Sequence, residues 1–328
     1  MALYLQGIWS YSTLILAFVI IPGLELMTAP DKSGIGSEED ENHVLQDRLY
    51  DLLLYAMVPA QYITLGWFLW TVVGPIDAFT RTGLILSMGV QCGAVGINVA
   101  HELGHRTTRF ERNLARALLL SSLYMHFIVE HNRGHHKNVA TPLDPASARL
   151  NEPIYTFWFR TIVGSFLSAW NIERSLQEKS GRSTWNIRNE MLQALVIEGG
   201  LLTLLYLIFG WIGLKAFLLT SLIGILLLET VNYIEHYGLR RKQLENGRYE
   251  RVQPWHSWNS DYPIGRIVLF ELTRHSDHHY KASRKYPLLR HLEGSPQLPA
   301  GYPAMMLLSL VPPLFFRVIN PRIESTSQ

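Results

Sequence analysis

Charge is scarce in this sequence: 17% of its 328 residues are Asp, Glu, Lys or Arg, where an average soluble domain carries about a quarter. The formal net charge of +2 falls far short of the basic excess that marks a nucleic-acid binder, so no nucleic acid is expected as a partner. Cysteine is scarcer still. The single Cys92 excludes a disulfide framework, and with it any multi-cysteine metal or iron–sulfur site held by this chain. No Gly-rich dinucleotide fingerprint occurs either, so a flavin or nicotinamide has no site of that type here. Internal repeats and low-complexity tracts are also missing.

What the chain has instead is apolar length, at 48% hydrophobic residues. Crossing a bilayer takes about 20 residues at about 1.5 Å each. Five runs meet that length, at 8–27, 52–73, 79–100, 191–209 and 214–231. The first is read as a membrane helix and not a signal peptide, because its apolar run is long and the first cation is Lys32. Tight turns are expected at Gly74, Pro75, Ile76 and Asp77, and again between Gly210 and Gly213. The link at 28–51, with Glu38, Glu39, Asp40 and Glu41, reads as a solvated loop. The stretch 101–190 is polar and rich in cations, including Arg106, Arg133, Lys137, Arg149, Lys179 and Arg188. Cation-rich connections stay in the cytoplasm, so 101–190 and the polar region 232–303 are placed there, with both tight turns on the far side. The apolar run 113–129 and the helix expected at 153–170 are read as dipping into or lying along the membrane without crossing it. The segment 304–318, broken by Pro312 and Pro313, is read as interfacial. The expected class is an all-α integral membrane protein: one domain over 1–328, a transmembrane helix bundle under a cytoplasmic His-rich cap.

The 13 histidines are the main chemical clue. His101 and His105, in HELGH, stand at i and i+4, which on a helix puts both imidazoles on one face. That box alone also fits the zinc-protease motif, with Glu102 as general base. The rest of the sequence outgrows it. His131, His135 and His136 lie in EHNRGHH, His236 in NYIEHYGL, and His275, His278 and His279 in RHSDHH. Nine imidazoles exceed the three protein ligands of a catalytic zinc and suit two metals, although spacing does not say which metal, since zinc, copper, nickel and iron all accept imidazole. Glu102, Glu130, Glu235 and Asp277 accompany the boxes as candidates to accept the second N–H of a ligating histidine. His126 and His256 are read as packed or hydrogen-bonded residues outside the ligand set.

In HELGH at 101–105, EHNRGHH at 130–136, NYIEHYGL at 232–239 and RHSDHH at 274–279, the chain resembles the bacterial membrane alkane 1-monooxygenases, within the membrane fatty-acid desaturase and hydroxylase superfamily. TPLDPAS at 141–147 and HSWNS at 256–260 look similar too, and the resemblance runs from about residue 79 to 321. It implies two non-haem iron ions held by the nine histidines, and hydroxylation of the terminal carbon of an alkane with O2. It also implies electrons from rubredoxin, with rubredoxin reductase and NAD(P)H upstream, and a place in the bacterial inner membrane among its lipids. Such enzymes usually have six spans, so by the resemblance the run 8–27 corresponds to their second, and either the first is missing or the sequence begins late. Ala17 and Phe18 are then candidates to line the substrate tunnel, and Arg133, Lys137 and Arg149 candidates to attract an acidic carrier. A related desaturase would carry HxxHH where His131, His135 and His136 give HxxxHH. An aromatic-methyl hydroxylase is the nearer alternative, and a membrane zinc protease the remote one.

Overall fold

The computed structural model describes residues 1–35 and 37–326. Among them the regular elements are helical, and strand-like pairing is confined to two isolated bridges, Gln243 with Tyr249 and Asn259 with Gln297. The all-α class expected from the sequence is observed. In chain order, α1 (Gly7–Glu25) mixes 3-10, α and π turns. The acidic patch beyond it is not a loop. Glu38, Glu39, Asp40 and Glu41 form the first turn of α2 (Glu38–Gln46), where the Ser37 hydroxyl accepts from the Asp40 backbone N–H at 3.1 Å. Carboxylates are favoured there because the helix N-terminus is electropositive, a preference that charge counting alone does not reveal.

The helices α3 (Arg48–Val72) and α4 (Ala78–Gly104) are both long and apolar enough to cross a membrane, as is α1. The run 113–129 is not one helix. α5 (Arg109–Leu120) is closed at its start by a reciprocal cap: the Glu111 N–H donates to the Thr108 hydroxyl at 3.2 Å, and that hydroxyl donates back to the Glu111 carboxylate at 2.6 Å. Turns follow, with Leu123 at φ 52°. Twelve helical residues span about 18 Å, short of the roughly 30 Å hydrocarbon layer. The helix expected at 153–170 continues further, as α6 (Ile154–Lys179).

The fourth long apolar helix, α7 (Glu190–His236), has 47 residues, about 70 Å if straight and more than twice the hydrocarbon thickness. It is not straight. Gly210 sits at φ 63°, ψ −166°, outside helical geometry and in a region that glycine alone adopts cheaply. A Cβ added at Gly213 would lie 2.3 Å from the Cβ of Phe209, whereas i and i+4 positions of an intact helix stand about 5–6 Å apart. Leu205 and Phe217 share one buried cluster, although 12 helical steps would separate them by about 18 Å. The chain therefore turns back at Gly210, and both apolar runs expected at 191–209 and 214–231 are present on either side of it. After α7 come α8 (His275–Tyr280), α9 (Tyr302–Ser309) and α10 (Pro312–Thr326). The segment expected at 304–318 is thus two helices, parted just before Pro312.

The chain divides into two compact units. The first comprises 1–17, 51–131 and 166–228. Its core holds Leu65, Phe68, Leu69, Leu84, Met88 and Phe217. Buried polar side chains pin its helices together: Gln61 Nε2 donates to Ser121 Oγ at 3.1 Å, and Ser87 Oγ to the Ser10 carbonyl at 2.6 Å. Such bonds and close packing hold membrane helices together, because lipid tails are as apolar as leucine.

The second unit comprises 18–50, 132–165 and 229–328. Tyr233, Tyr237 and Phe315 form an aromatic core, with ring centroids 4.9–5.3 Å apart. Arg274, which precedes the last histidine box, is buried and braced by the carbonyls of Leu289, Asp31 and Ser33. Glu25, at the end of α1, is buried as well, its Oε1 accepting from the Gly265 N–H at 3.0 Å. A Cβ at Gly301 would lie 1.9 Å from Glu25 Oε2, so only glycine fits beside this carboxylate. Gly301→Ala should therefore lower the unfolding midpoint in detergent, at a cost of about 1–3 kcal/mol typical of overpacking. Adding Glu25→Ala should return part of the loss; a double variant no more stable than Gly301→Ala would refute the steric account.

Candidate metal centre

Each histidine box sits on a helix end or a tightened turn. His101 and His105 close α4, just past a π turn at Cys92–Ile97, and His131–His135 is itself a π turn, a form that recurs at functional sites. In the first unit three imidazoles gather. The rings of His101 and His105 are 5.0 Å apart, those of His101 and His131 4.5 Å, and the Nε2 atoms of His105 and His131 lie 3.1 Å apart. Phe127 stacks on His131 at 4.8 Å.

The second unit gathers six. Nε2 of His279 lies 3.2 Å from Nε2 of His135 and 2.9 Å from Nε2 of His275, whose Nε2 is in turn 3.2 Å from that of His236. One ligand nitrogen from each of these four buried residues lies within 4.8 Å of all the others. His136 and His278 form a further pair, Nε2 to Nε2, at 3.2 Å. The helical boxes therefore divide by angle: His275 and His279 (i, i+4) stay together, while His278, about 100° round the helix from His279, turns to His136. The second box splits likewise, His135 joining the four and His136 the pair.

These spacings fit a metal ion. With a metal–nitrogen bond of about 2.1 Å, ligand nitrogens stand about 3.0 Å apart at right angles and about 3.4 Å at tetrahedral angles. Hydrogen bonding among the rings does not explain them. A neutral Nε2 offers one proton or one lone pair, yet Nε2 of His279 faces two ring nitrogens, and Nε2 of His275 faces two as well as a carboxylate oxygen. Burial and the surrounding imidazoles of His275, His136, His135 and His236 push the pKa of His279 well below its usual value. It stays neutral, with a lone pair to offer.

Asp144, which sequence reasoning did not single out, binds Nδ1 of His135 at 2.9 Å and accepts from Ser147 Oγ at 2.5 Å. Burial works to raise its pKa, but His135 and Ser147 together hold it below the ordinary value. It is therefore an anion that fixes the His135 proton on Nδ1 and leaves Nε2 to the cluster. Its only sequence signal is its place in TPLDPAS, nine residues after His135. Glu235 Oε2 lies 3.2 Å from Nε2 of His275, the nitrogen that faces the other rings, and Oε1 accepts from the Tyr302 hydroxyl at 2.9 Å. Glu235 thus stands beside the ligand nitrogens rather than behind a ring, and Tyr302 is a second residue that the sequence did not reveal. Glu102 pairs with Arg106 at 2.8 Å, and Glu130 accepts from Ser168 at 3.2 Å. Asp277 is tied to Arg284 and to the Arg290 N–H, so its hold on the neighbouring histidines runs through α8 and the segment behind it, not through an imidazole.

His126 packs edge-on against Tyr124 and Phe166, and burial pushes its pKa down to about 4. His256 accepts the Gln253 N–H at Nδ1 and faces Glu250 with Nε2. Among the described residues, neither lies in one of the histidine groups. His291, read as an ordinary polar residue, meets the buried Asp261 at 2.8 Å. Ala17 and Phe18 lie half-buried on a π turn of α1.

A family profile described as fatty acid desaturase matches residues 78–309, from the start of α4 to the end of α9. Alkane 1-monooxygenase 1 of Alcanivorax borkumensis is 40% identical over 320 residues, covering 97% of this chain and 78% of that protein. Alkane 1-monooxygenase 1 of Pseudomonas aeruginosa is 40% identical over 323 residues, covering 97% and 84%. A more distant relative, the xylene/toluene monooxygenase hydroxylase component of Pseudomonas putida, is 31% identical over 251 residues, covering 75% and 65%. About 40% identical over nearly its whole length to the two alkane 1-monooxygenases, the chain belongs to the alkane 1-monooxygenase family, within the wider fatty acid desaturase group.

Proposed function

We propose that this chain is an integral-membrane, non-haem di-iron monooxygenase that hydroxylates the terminal carbon of alkanes to 1-alkanols. It uses O2 and electrons from rubredoxin, whose reductase draws on NAD(P)H. The observation that carries this reading is the cluster of His135, His236, His275 and His279, with nitrogen spacings that suit one cation. Kinship with alkane 1-monooxygenases supports the substrate class, and two irons are what the resemblance of the histidine boxes implies. One iron is assigned to that cluster within the second unit.

When bound, the irons supply the oxygen chemistry that an unactivated C–H bond demands and that no side chain provides. The chain's own residues hold and orient. Asp144 sets the tautomer of His135, and Tyr302 fixes the Glu235 carboxylate beside His275. An alkane offers no polar handle, so its recognition falls to apolar side chains of the long helices. The cation-rich stretch 101–190 assigns the metal side to the cytoplasm. A desaturase reading suits the second box less well, because His131, His135 and His136 keep the HxxxHH spacing.

Three measurements test the proposal. Folded, membrane-inserted protein should carry about two irons per chain, falling to about one with loss of hydroxylation in His236→Ala, while His126→Ala and His256→Ala keep their iron and at least part of the activity. Full iron and activity in His236→Ala, with loss of both in His126→Ala, would mean that the ligand set is misassigned. NADH alone should give no alkanol, and adding rubredoxin and its reductase should give turnover; product formed without them would refute the external supply of electrons. A reporter inserted between Gly74 and Asp77 should read periplasmic and one near Lys179 cytoplasmic, and agreement between the two would sink the topology.

A further inference from the structure

Residues 180–189 join α6 to α7 in the first unit, and they form a built loop rather than a slack link. The Arg182 N–H donates to the Gln177 carbonyl at 2.9 Å, and the Asn186 N–H to the Ser183 carbonyl at 3.1 Å. Nδ2 of the buried Asn189 donates to the Thr184 carbonyl at 2.9 Å. Trp185 is held as well, its ring 5.8 Å from that of Trp170 and its backbone N–H donating to the Ser183 hydroxyl at 3.2 Å. Yet this ordered loop turns its apolar side chains outward: Trp185 is 74% exposed and Ile187 84%. Lipid contact along a span does not account for them, since both precede the apolar run that begins at Met191. Cations flank the pair in sequence. Lys179 and Arg188 are exposed and Arg182 is half-buried, and among the described residues none of the three has a carboxylate partner. Gln177 Oε1 accepts from Arg182 Nε at 2.8 Å and so aims that guanidinium. Acids offset little: Glu178 lies 3.9 Å from Arg174, Glu190 is paired with Arg116, and Glu173 is buried.

We infer that this loop is a lipid anchor: Trp185 and Ile187 sink into one leaflet, and Lys179, Arg182 and Arg188 hold the headgroups of anionic phospholipids. The inference takes 191–209 as a membrane span and is independent of the chemistry proposed above. Depth argues for the membrane. As a helix, 191–209 is about 28 Å long, close to the roughly 30 Å hydrocarbon layer. Trp185 stands just before that run, and Trp211, 65% exposed, just after it. Tryptophans at both ends of one apolar run mark the two interfaces, where indole rings meet headgroups. An exposed Trp and Ile gain nothing in water and recover their burial energy at the acyl boundary. A water-borne protein would reach side chains at that depth only by displacing lipid. Charge fixes the class of lipid. Each unpaired cation adds to the attraction of a negative surface, whereas zwitterionic headgroups offer no net charge. A free phosphate would leave the apolar tip in water.

The test uses the iron-loaded full chain in nanodiscs, which present both leaflets, so its outcome does not depend on which side faces the cytoplasm. Ile187→Cys is labelled with bimane, Cys92 being buried. Its emission should be quenched by phospholipid spin-labelled near the headgroup end of the acyl chain, and shielded from iodide in the water. Iodide quenching at 187 while the same label at Leu204→Cys, in the middle of the span, stays shielded would overturn the inference. Iodide quenching at both positions would refute the span on which it rests. Emission at 187 that changes only when rubredoxin is added would assign the loop to a protein partner and overturn the inference too. For charge, binding of phosphatidylglycerol to the chain in neutral detergent is followed by native mass spectrometry. Arg182→Gln with Arg188→Gln should raise the Kd about tenfold, with iron content and unfolding midpoint as in the parent. Arg248→Gln with Arg251→Gln, at exposed cations of the second unit, should leave the Kd unchanged. An unaltered Kd in the first double variant would overturn the headgroup site, and so would an equal loss in both, which would mark diffuse attraction. Equal affinity of the parent for phosphatidylcholine would overturn the choice of an anionic lipid.

Discussion

The structure turns on a conflict among lone pairs. Neutral imidazoles brought together with their Nε2 atoms about 3 Å apart repel one another unless something positive sits among them. His279 and His275 meet this condition most severely, each with two ring nitrogens at hydrogen-bonding distance. A fold that tolerates such a cluster has to hold each ring from behind. Asp144 does so for His135, while Arg274 and Asp277, buried and tied to the backbone and to Arg284, fix the segment that carries the last histidine box. The low charge of the chain elsewhere accords with helices long and apolar enough to cross a membrane.

Much of this was legible in the sequence because helical periodicity is a local property. The i, i+4 pairings His101 with His105 and His275 with His279 follow from 3.6 residues per turn, and the structure keeps both together. The apolar runs were equally plain, since length and hydrophobicity suffice to mark them. Non-local pairing was not legible. Asp144 is a lone acid between prolines in TPLDPAS, and nothing in its neighbourhood shows that it will meet His135. Tyr302 begins a helix that reads only as apolar, yet its hydroxyl orients Glu235. Charge was misread where backbone geometry decides. Glu38, Glu39 and Asp40 look like a solvated loop until Ser37 caps them into a helix. The turn at Gly210 was anticipated by its glycines, but the short segments 232–303 carry their meaning in contacts that no periodicity encodes.

The carboxylates also show how far type differs from role. Four acids next to histidine boxes looked equivalent by sequence. In the structure, Glu102, Glu130 and Asp277 meet Arg106, Ser168 and Arg284 respectively, and Glu235 stands 3.2 Å from Nε2 of His275. Adjacency along the chain puts a carboxylate near a ligand's backbone, while side-chain direction, set by about 100° per residue, decides what it reaches.

The π turn at Cys92–Ile97 gives the last of these angles a history. A π turn is an α-helix carrying one extra residue, so everything beyond it is rotated by about 100° relative to an uninterrupted helix. His101 and His105 lie four and eight residues past its end. Their aim is therefore set by an insertion upstream as much as by their own spacing, and losing a single residue there would swing both imidazoles away together while leaving the HELGH motif intact. Two sequences with identical boxes can thus differ in whether they form the centre at all, and the difference would be one residue in an apolar stretch where motif searches do not look.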